Sequence, residues 1–344
     1  MRRSYIMWSE QKLDDLLSQP TDALIEDMKQ IDGDILVIGA GGKMGPSLCV
    51  LASRAIHKAG LKIRVRAVSR FTDEASLRYL EENGVECISA DLLDPEQVKS
   101  LPDAKNIIYM AGKKFGTQGA EYMTWGMNAV VPARVAERYI TSKVVVFSSG
   151  NIYPMTAISK AGATEETTLE PVGEYAMSCL GRERVFDFYA QQHGLKCFFY
   201  RLNYAVALRY GVLHDLARTI LDGQPVSLST TAFNCIWQRD ANEIALRGLL
   251  HCDTPPTIYN VTGPETISVK STAQRLAKLL GKEVSFTGEE QPDALLNNAG
   301  KAFSIFGYPT VSLDTLMQWQ AEWMLSGGSS LGKPTHFEER EGKY

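Results

Sequence analysis

The stretch EYAMSCLGRER, residues 174–184, combines a tyrosine at the start of a predicted helix with a cysteine one turn later. Because Tyr175 and Cys179 are four residues apart, their side chains lie on the same helix face. A tyrosine hydroxyl can exchange a proton with a substrate, but its ordinary pKa is near 10, so it works best beside a cation. Tyr175 is therefore a candidate acid/base, and Cys179 stands where such a tyrosine would benefit from a lysine.

A glycine-rich turn is the second feature that could do chemistry. The apolar run ILVIGA leads into GAGGKMG, in which Gly39, Gly42 and Gly45 have the spacing GxxGxxG, with Lys43 and Met44 between the last two glycines. Glycines at a strand-to-helix turn let backbone N–H groups approach a pyrophosphate, and the helix N-terminus adds its positive end. The turn predicts a dinucleotide site.

The second strand of the same unit carries the residues that choose between nucleotides. It ends in Ser69 and Arg70, roughly 20 residues past the last glycine, where an acidic residue would select NAD. A guanidinium beside a hydroxyl suits a 2′-phosphate better, so we expect NADP or NAD with a preference for NADP. Asp91 and Leu92 follow the third strand and are expected to contact the adenine.

Strands and helices alternate from Asp34 to about Tyr204, and the strands are continuously apolar. This pattern predicts an α/β fold, a doubly wound parallel (Rossmann) sheet with a smaller C-terminal substrate domain. We divide the chain into an N-terminal helical extension that packs on the rest (1–32), a dinucleotide-binding domain (33–204), a substrate-binding region whose residues 258–263 return to the main sheet (205–325), and a flexible tail (326–344).

Composition narrows the class of protein. The net charge of −4 argues against a nucleic-acid partner, and no apolar run is long enough to cross a membrane. The six cysteines have no CxxC pair or metal-ligand spacing, so we expect reduced thiols, a cytoplasmic location and no metal.

These motifs, in this order, resemble the extended short-chain dehydrogenase/reductases, the NAD-dependent epimerase/dehydratase family, over about 34–325. SSGNIYP resembles the family's SSxxVYG and EYAMSCLGRER its YxxSKxxxE, which implies Ser149 and Tyr175 as catalytic residues. The resemblance also implies cofactor contacts from Ala111 and Gly112 after the fourth strand and from Asn128 in the next helix. It implies an NAD(P)-dependent oxidoreductase, epimerase or dehydratase acting at a hydroxyl or carbonyl carbon of a sugar-like molecule.

Cys179 replaces the family's lysine, which would bind the nicotinamide ribose and lower the tyrosine pKa. A cation about 5 Å away is worth about 3 kcal/mol, or about two pKa units. Our first candidate for a substitute is Lys114, ahead of Lys113 and Lys160. Arg182 is two turns beyond Tyr175 and is expected to be too far away.

A second departure concerns the substrate. Aligning FNCIWQRDANE with the family puts Phe233 where nucleotide-sugar enzymes have an arginine for the diphosphate, which favours a smaller polyhydroxylated or carboxylated substrate. We expect substrate contacts from Asn151, Tyr204, Asn234 and Trp237.

Two other functions stay open. The absence of the lysine favours a non-catalytic NAD(P)-binding sensor or scaffold. The usual activity of the family favours a nucleotide-sugar epimerase. Many relatives dimerise through helices equivalent to 119–139 and 175–193, so the resemblance implies a homodimer.

Overall fold

A computed structural model describes residues 8–114, 116 and 118–343. The N-terminal residues 1–7 of the predicted extension and the last residue of the predicted tail lie outside these ranges. Within the described residues the main sheet has seven strands, which are β1 Ile35–Ile38, β2 Val65–Ser69, β3 Glu86–Ser89, β4 Asn106–Tyr109, β5 Lys143–Ser149, β6 Lys196–Leu202 and β7 Thr257–Val261.

The strand order is β7-β6-β5-β4-β1-β2-β3, and every neighbouring pair is parallel. The order reverses direction between β1 and β4, where consecutive crossovers leave to opposite sides. A crevice forms outside the carboxyl ends of the strands at such a switch point, and ligands of open α/β sheets bind there. The glycine turn after β1 and the loop after β4 meet at this place. The doubly wound α/β prediction is confirmed.

Helices cover both faces of the sheet and build the rest of the chain. They are α1 Glu10–Leu17, α2 Asp22–Met28, α3 Gly45–Lys58, α4 Glu74–Glu82, α5 Pro95–Ser100, α6 Glu121–Trp125, α7 Val131–Arg138, α8 Gly173–His193, α9 Val212–Leu221, α10 Gln238–Arg247, α11 Val269–Leu280, α12 Gly300–Phe306 and α13 Leu313–Leu325. A π-helical turn, Gly126–Val130, joins α6 to α7. No helix in the described ranges combines the length and apolarity that a membrane span requires.

The apolar strands separate two cores on the main sheet. On one face Ile35 and Val37 pack with α3, α10 and α12, and on the other Leu36 and Ile38 pack with α5, α7 and α8. Because β1 is buried on both faces, its four residues are all apolar, as a central parallel strand requires.

A third core lies among the helices of the C-terminal half. It gathers side chains from α9, α11 and α13 around Trp237 and Trp323, and Trp8 packs edge-on against Trp323 from the N-terminal extension. Leu24 and Met28 of α2 instead belong to the core of α3 and α10. The N-terminal helices therefore fasten the two halves of the molecule together.

The tail differs from the flexible segment that its glycine-rich, polar composition predicts. Thr335 and Phe337 are buried, and Phe337 packs against Phe233 in the third core. Asp215 fixes the tail by accepting hydrogen bonds from the backbone N–H of Thr335 at 2.8 Å and from its hydroxyl at 2.6 Å. Thr335 and Phe337 therefore anchor a segment whose average composition indicates disorder.

Candidate active site

The glycine turn is shaped by close backbone contacts. Gly39 has φ +92°, and a Cβ there would lie 2.5 Å from the backbone nitrogen of Ala111. A Cβ at Gly41 would collide with the hydroxyl of Ser69, and one at Gly45 would collide with the carbonyl of Ala40. Glycine is required at positions 39 and 45, where a Cβ would meet backbone atoms, so the turn brings bare backbone close to its neighbours.

The turn forms one wall of a cleft of about 530 Å³. Most of the predicted cofactor residues line it, namely Gly39, Gly42, Ser69, Arg70, Asp91, Leu92, Ala111 and Gly112. The carboxyl ends of β1, β2, β3 and β4 all contribute, as expected for residues that immediately follow parallel strands. The dimensions and the backbone-lined wall fit a dinucleotide.

Four residues predicted to bind the cofactor do not line the cleft. Met44 is buried in the core under the turn, Gly45 begins α3, and Lys43 faces a second cavity described below. Asn128 is fully buried in the π-helical turn, where it supports the loop after β4 from below.

Asn128 makes a complete set of hydrogen bonds. Its Oδ1 accepts from the backbone N–H of Lys113 at 2.9 Å and from Nη2 of Arg182 at 2.8 Å. Its Nδ2 donates to the carbonyl of Lys113 at 3.0 Å and to the hydroxyl of Ser178 at 2.8 Å. The asparagine thus fixes the cofactor loop to α8, which also carries Tyr175.

The second cavity, of about 210 Å³, brings together the predicted catalytic residues. Its lining includes Ser149, Tyr175 and Lys114, with Asn151 and Tyr204 from the predicted substrate residues. Ser149 ends β5 and caps the following turn, because its Oγ accepts from the backbone N–H of Asn151 at 3.2 Å. A serine at a strand end is therefore held facing the cavity by its own loop.

Tyr175 has an unfavourable electrostatic environment for ionisation. Burial raises its pKa well above the usual value near 10, and the Cys179 side chain acts in the same direction. The positive charge of Arg182 and a hydrogen bond with Ser149 lower it. Burial is therefore the main obstacle to ionisation of Tyr175, and Arg182 and Ser149 oppose it.

Two lysines face the same cavity. Lys114 lies over the Tyr175 ring with Nζ 5.8 Å from the ring centre, and burial lowers its pKa to about 8. Lys43 donates from Nζ to the carbonyl of Ala205 at 2.8 Å and lies 3.9 Å from the centre of the Tyr210 ring. Burial, with the charge of Lys114 in second place, lowers the pKa of Lys43 to about 7.

The other two predicted substrate residues do not line the cavity. Trp237 is buried in the third core, edge-on to Trp319. Asn234 is buried behind the site, where its Oδ1 accepts from the backbone N–H of Asn297 at 2.9 Å and its Nδ2 donates to the carbonyl of Glu265 at 3.2 Å. Both side chains are used in packing and in internal hydrogen bonds.

The tail supplies lining residues that the sequence did not indicate. Lys333 lines the dinucleotide cleft and Thr335 lines the second cavity. Asn203, at the end of β6, and Tyr210 also line the second cavity. The position of Asn203 after a parallel strand could have identified it, whereas nothing in the tail sequence indicates docking.

A parallel sheet with a glycine turn at its switch point, next to a serine and a tyrosine that share a small cavity, defines the extended short-chain dehydrogenase/reductase class. The family model described as the NAD dependent epimerase/dehydratase family matches residues 35–262, about two thirds of the chain, and the chain belongs to this family. No curated protein sequence matches the chain.

Solved structures agree on the fold at low sequence identity. The dTDP-glucose 4,6-dehydratase DesIV from Streptomyces venezuelae, with NAD and TYD bound, has a TM-score of 0.73 at 18% identity, covering 85% of this chain and 97% of that one. UDP-glucuronic acid 4-epimerase from Bacillus cereus, in complex with UDP-glucuronic acid and NAD, has a TM-score of 0.70 at 18% identity, covering 85% and 99%. MoeE5, in complex with UDP-glucose and NAD, has a TM-score of 0.68 at 20% identity, covering 86% and 99%.

The family match confirms the resemblance that the motifs indicated. It also confirms the prediction of an enzyme of the NAD-dependent epimerase/dehydratase class. The individual site residues, the substrate and the choice between NAD and NADP stay predictions.

Proposed function

We propose that the protein is an NAD(P)-dependent enzyme that oxidises, epimerises or dehydrates a sugar-like small molecule at a hydroxyl or carbonyl carbon. The observation that carries this proposal is the shared cavity of Ser149 and Tyr175 next to the dinucleotide cleft. Three chain segments line both spaces with neighbouring residues, which are Gly42 and Lys43, Lys113 and Lys114, and Lys333 and Thr335. The cleft and the cavity are therefore adjacent at these three chain segments.

The cleft suits a nicotinamide dinucleotide because one wall is a glycine turn that leads directly into the N-terminus of α3. We assign the pyrophosphate to the backbone of Gly39–Gly42 and the adenine to Asp91 and Leu92. Ala111 and Gly112 would lie along the nicotinamide half. When bound, the cofactor supplies the hydride acceptor or donor.

The chain's own groups handle the proton. Tyr175 removes or returns the proton of the reacting hydroxyl, and Ser149 donates a hydrogen bond to the same oxygen. Lys114, whose Nζ lies 5.8 Å from the centre of the tyrosine ring, adds positive charge to the cavity. In this arrangement the reacting carbon would be held between the two hydroxyls and the cleft.

We infer a preference for NADP from the rim of the cleft. Ser69 and Arg70 end β2 there, and Lys333 from the tail lines the same cleft. Two cations and a hydroxyl suit a 2′-phosphate, whereas NAD recognition ordinarily uses a carboxylate on the ribose.

We infer a small anionic substrate, such as a sugar acid, from the charges in the cavity. Lys43 and Lys114 both face it, and a carboxylate would pair with them. Phe233 is buried against Phe337 and offers no charge for a diphosphate. The solved neighbours include enzymes with nucleotide sugars bound, so nucleotide-sugar epimerisation is the alternative substrate class.

We also propose a homodimer built on α6, α7 and α8. Large apolar side chains are exposed on these helices and on the turns that adjoin them, namely Tyr122, Trp125, Val130, Val172, Met177 and Phe188. A row of such side chains on neighbouring helices is typical of a protein–protein interface. We propose a cytoplasmic location from the spacing of the six cysteines, which predicts reduced thiols.

A non-catalytic sensor or scaffold is the second candidate function. The raised pKa of Tyr175 favours it, because a tyrosine that cannot ionise cannot act as a base. The two functions differ in hydride exchange, which only an enzyme would perform.

The test incubates the purified protein and NADP⁺ or NAD⁺ with a panel of sugars, sugar acids and nucleotide sugars. Oxidation is followed by the reduced nucleotide, and epimerisation or dehydration is followed by mass spectrometry and NMR of the sugar product, because these two reactions return the hydride within one turnover. Tyr175→Phe should lower kcat by about 10²–10⁴-fold, as expected for loss of a general acid/base. Ser149→Ala should lower it by a smaller factor. The control is Tyr308→Phe, which removes the hydroxyl of a 71% exposed tyrosine and should leave turnover unchanged. Unchanged turnover in Tyr175→Phe would refute the assignment of the base, and absence of hydride exchange across the panel would favour the sensor.

A further inference from the structure

Arg182 lies on the same side of α8 as Cys179, one turn further along the helix. Cys179 is completely buried and Arg182 is only 5% exposed. Long side chains on a helix point back towards its N-terminus, so an arginine at 182 delivers its charge to the level of the preceding turn. That turn holds Cys179, and the turn before it holds Tyr175.

The guanidinium is fixed on the cofactor side of the helix. Nη1 donates to the carbonyl of Phe147 at 2.6 Å and Nη2 donates to Oδ1 of Asn128 at 2.8 Å. A Cβ on Gly112 would lie 2.5 Å from Nη2, so the cation sits directly against the loop that lines the cleft after β4. Arg182 therefore contacts the loop that we assign to the nicotinamide half.

This charge is not neutralised by the adjacent carboxylate. Glu183 pairs instead with Arg201 at 2.7 Å, and Nε of Arg182 has no hydrogen-bond partner among the described residues. A buried cation without a matching anion is costly to a fold. Its presence beside the catalytic face calls for a role other than stability.

We propose that Arg182 takes the place of the missing lysine, as the fixed positive charge behind the Tyr175–Cys179 face and as the anchor of the loop on which the cofactor rests. The inference rests on the proposed function for its catalytic part, whereas its cofactor part stands on binding alone. Arg182 is a positioning residue, since it acts through Tyr175 and through the loop at Gly112. Sequence position alone had placed it too far away.

The electrostatics of the site agree with this role. Arg182 is the strongest charge that opposes the effect of burial on the pKa of both Tyr175 and Cys179. The charged or titratable groups around Tyr175 come from several elements. Cys179 and Arg182 lie on α8, Lys114 follows β4 and Lys43 lies in the glycine turn. Tyr210 lies in the loop before α9, and Asp215 lies on α9.

The test compares four full-length variants by titration with NAD⁺ and NADP⁺ and by pH–rate profiles. Arg182→Gln removes the charge and Arg182→Lys keeps it. Arg182→Ala vacates the space, and Cys179→Lys combined with Arg182→Ala restores a lysine at the family position. Melting temperatures and circular dichroism identify any variant that does not fold.

We expect Arg182→Gln to bind both nucleotides about ten-fold more weakly and Arg182→Lys to bind within about three-fold of the parent. In the oxidation direction the acid limb of the profile should move to higher pH in Arg182→Gln, because a charge that lowers the pKa of Tyr175 is lost. The double variant should bind both nucleotides more tightly than Arg182→Ala, and its pH–rate profile should return towards that of the parent. If a single variant does not fold, recovery of folding and binding in the double variant still supports the substitution.

Equal affinities and identical profiles for Arg182→Gln and Arg182→Lys would overturn the proposal. A double variant that is no better than Arg182→Ala, or that stays unfolded, would overturn it as well. If no substrate is turned over but the binding pattern appears, the proposed enzymatic function fails while the loop-anchoring role of Arg182 stands.

Discussion

Nζ of Lys114 donates a hydrogen bond to the backbone carbonyl of Thr335 at 3.2 Å. The lysine that lies over the ring of Tyr175 is thus joined to the C-terminal tail, about two hundred residues away in sequence. Asp215 holds the same threonine from α9. The tail is consequently part of the cavity wall, and its docking should affect access to the site.

Release of the tail should be measurable by proteolysis. Phe337 is 7% exposed and packs against Phe233, so Phe337→Ala should cost about 2 kcal/mol of docking free energy. The tail would then be open about 30 times more often, and trypsin cleavage after Arg340 should accelerate by a similar factor. Mass spectrometry of the released peptides gives the rate.

Leu331→Ala is the matched control, because Leu331 is 42% exposed and its removal should change cleavage little. Equal cleavage rates in the parent and in Phe337→Ala would show that Phe337 does not hold the tail.

Most of the fold could be predicted because apolar runs and glycine spacing are local signals. Four consecutive apolar residues in β1 and the run VVVFSS in β5 indicate buried parallel strands directly. The carboxyl ends of such strands meet at one edge of the sheet, so the sequence predicts Ser149 and Asp91 at that edge, where they line the second cavity and the cleft.

The parts that could not be predicted depend on side-chain direction and on long-range docking. Arg182 was judged by its distance along the helix axis, which does not indicate that its guanidinium contacts Asn128 and the carbonyl of Phe147. Trp237 was assigned to the substrate by its type, although an aromatic residue serves a core equally well. The tail was judged by average composition, which hides single anchors such as Phe337.

Nucleotide preference can be tested at the end of β2. If Arg70 binds the 2′-phosphate, Arg70→Ala should lose about 10- to 100-fold in NADP⁺ affinity, the usual range for a charge-assisted hydrogen bond. Its NAD⁺ affinity should stay within about three-fold. Fluorescence titration with both nucleotides measures the ratio.

Arg64→Ala provides the control, since Arg64 precedes the opposite end of β2, where it pairs with Asp34 at 3.1 Å. If Arg70→Ala loses affinity for NAD⁺ and NADP⁺ to a similar degree, Arg70 stacks on the adenine and does not bind the 2′-phosphate.

The proposed dimer can be tested on α8. Phe188 is 57% exposed, and Trp125 of α6 is joined to the same helix by its hydrogen bond to Glu174 at 2.5 Å. A carboxylate in the centre of an apolar interface is strongly unfavourable, so Phe188→Asp should convert the dimer to monomers in light scattering at micromolar concentration.

Leu325→Asp places the same charge on α13, where the leucine is 61% exposed, and should leave the mass unchanged. If the parent protein is already a monomer, the proposed dimer interface is wrong.

The two cavity lysines predict how the affinity for an acidic substrate changes with pH. Burial lowers the pKa of Lys43 to about 7 and that of Lys114 to about 8, so each loses its proton near neutrality and not near 10.5. Only the protonated amines attract a carboxylate, and binding should therefore be strongest below about pH 7 and weaken as the pH rises through 8. Since a bound anion favours the charged lysines, complex formation near pH 7.5 should take up protons from the buffer.

Calorimetry with a hexuronate in buffers of different ionisation enthalpy measures both the affinity and the proton uptake. Lys43→Met should weaken binding at pH 6.5 by about ten-fold or more and flatten the pH dependence, whereas the exposed Lys62→Met should behave like the parent. The neutral hexose should show no such pH dependence, because it has no charge for the lysines to recognise. If the hexuronate and the hexose bind equally at every pH, the cavity does not select an anion, and the two lysines must serve Tyr175 or the cofactor instead.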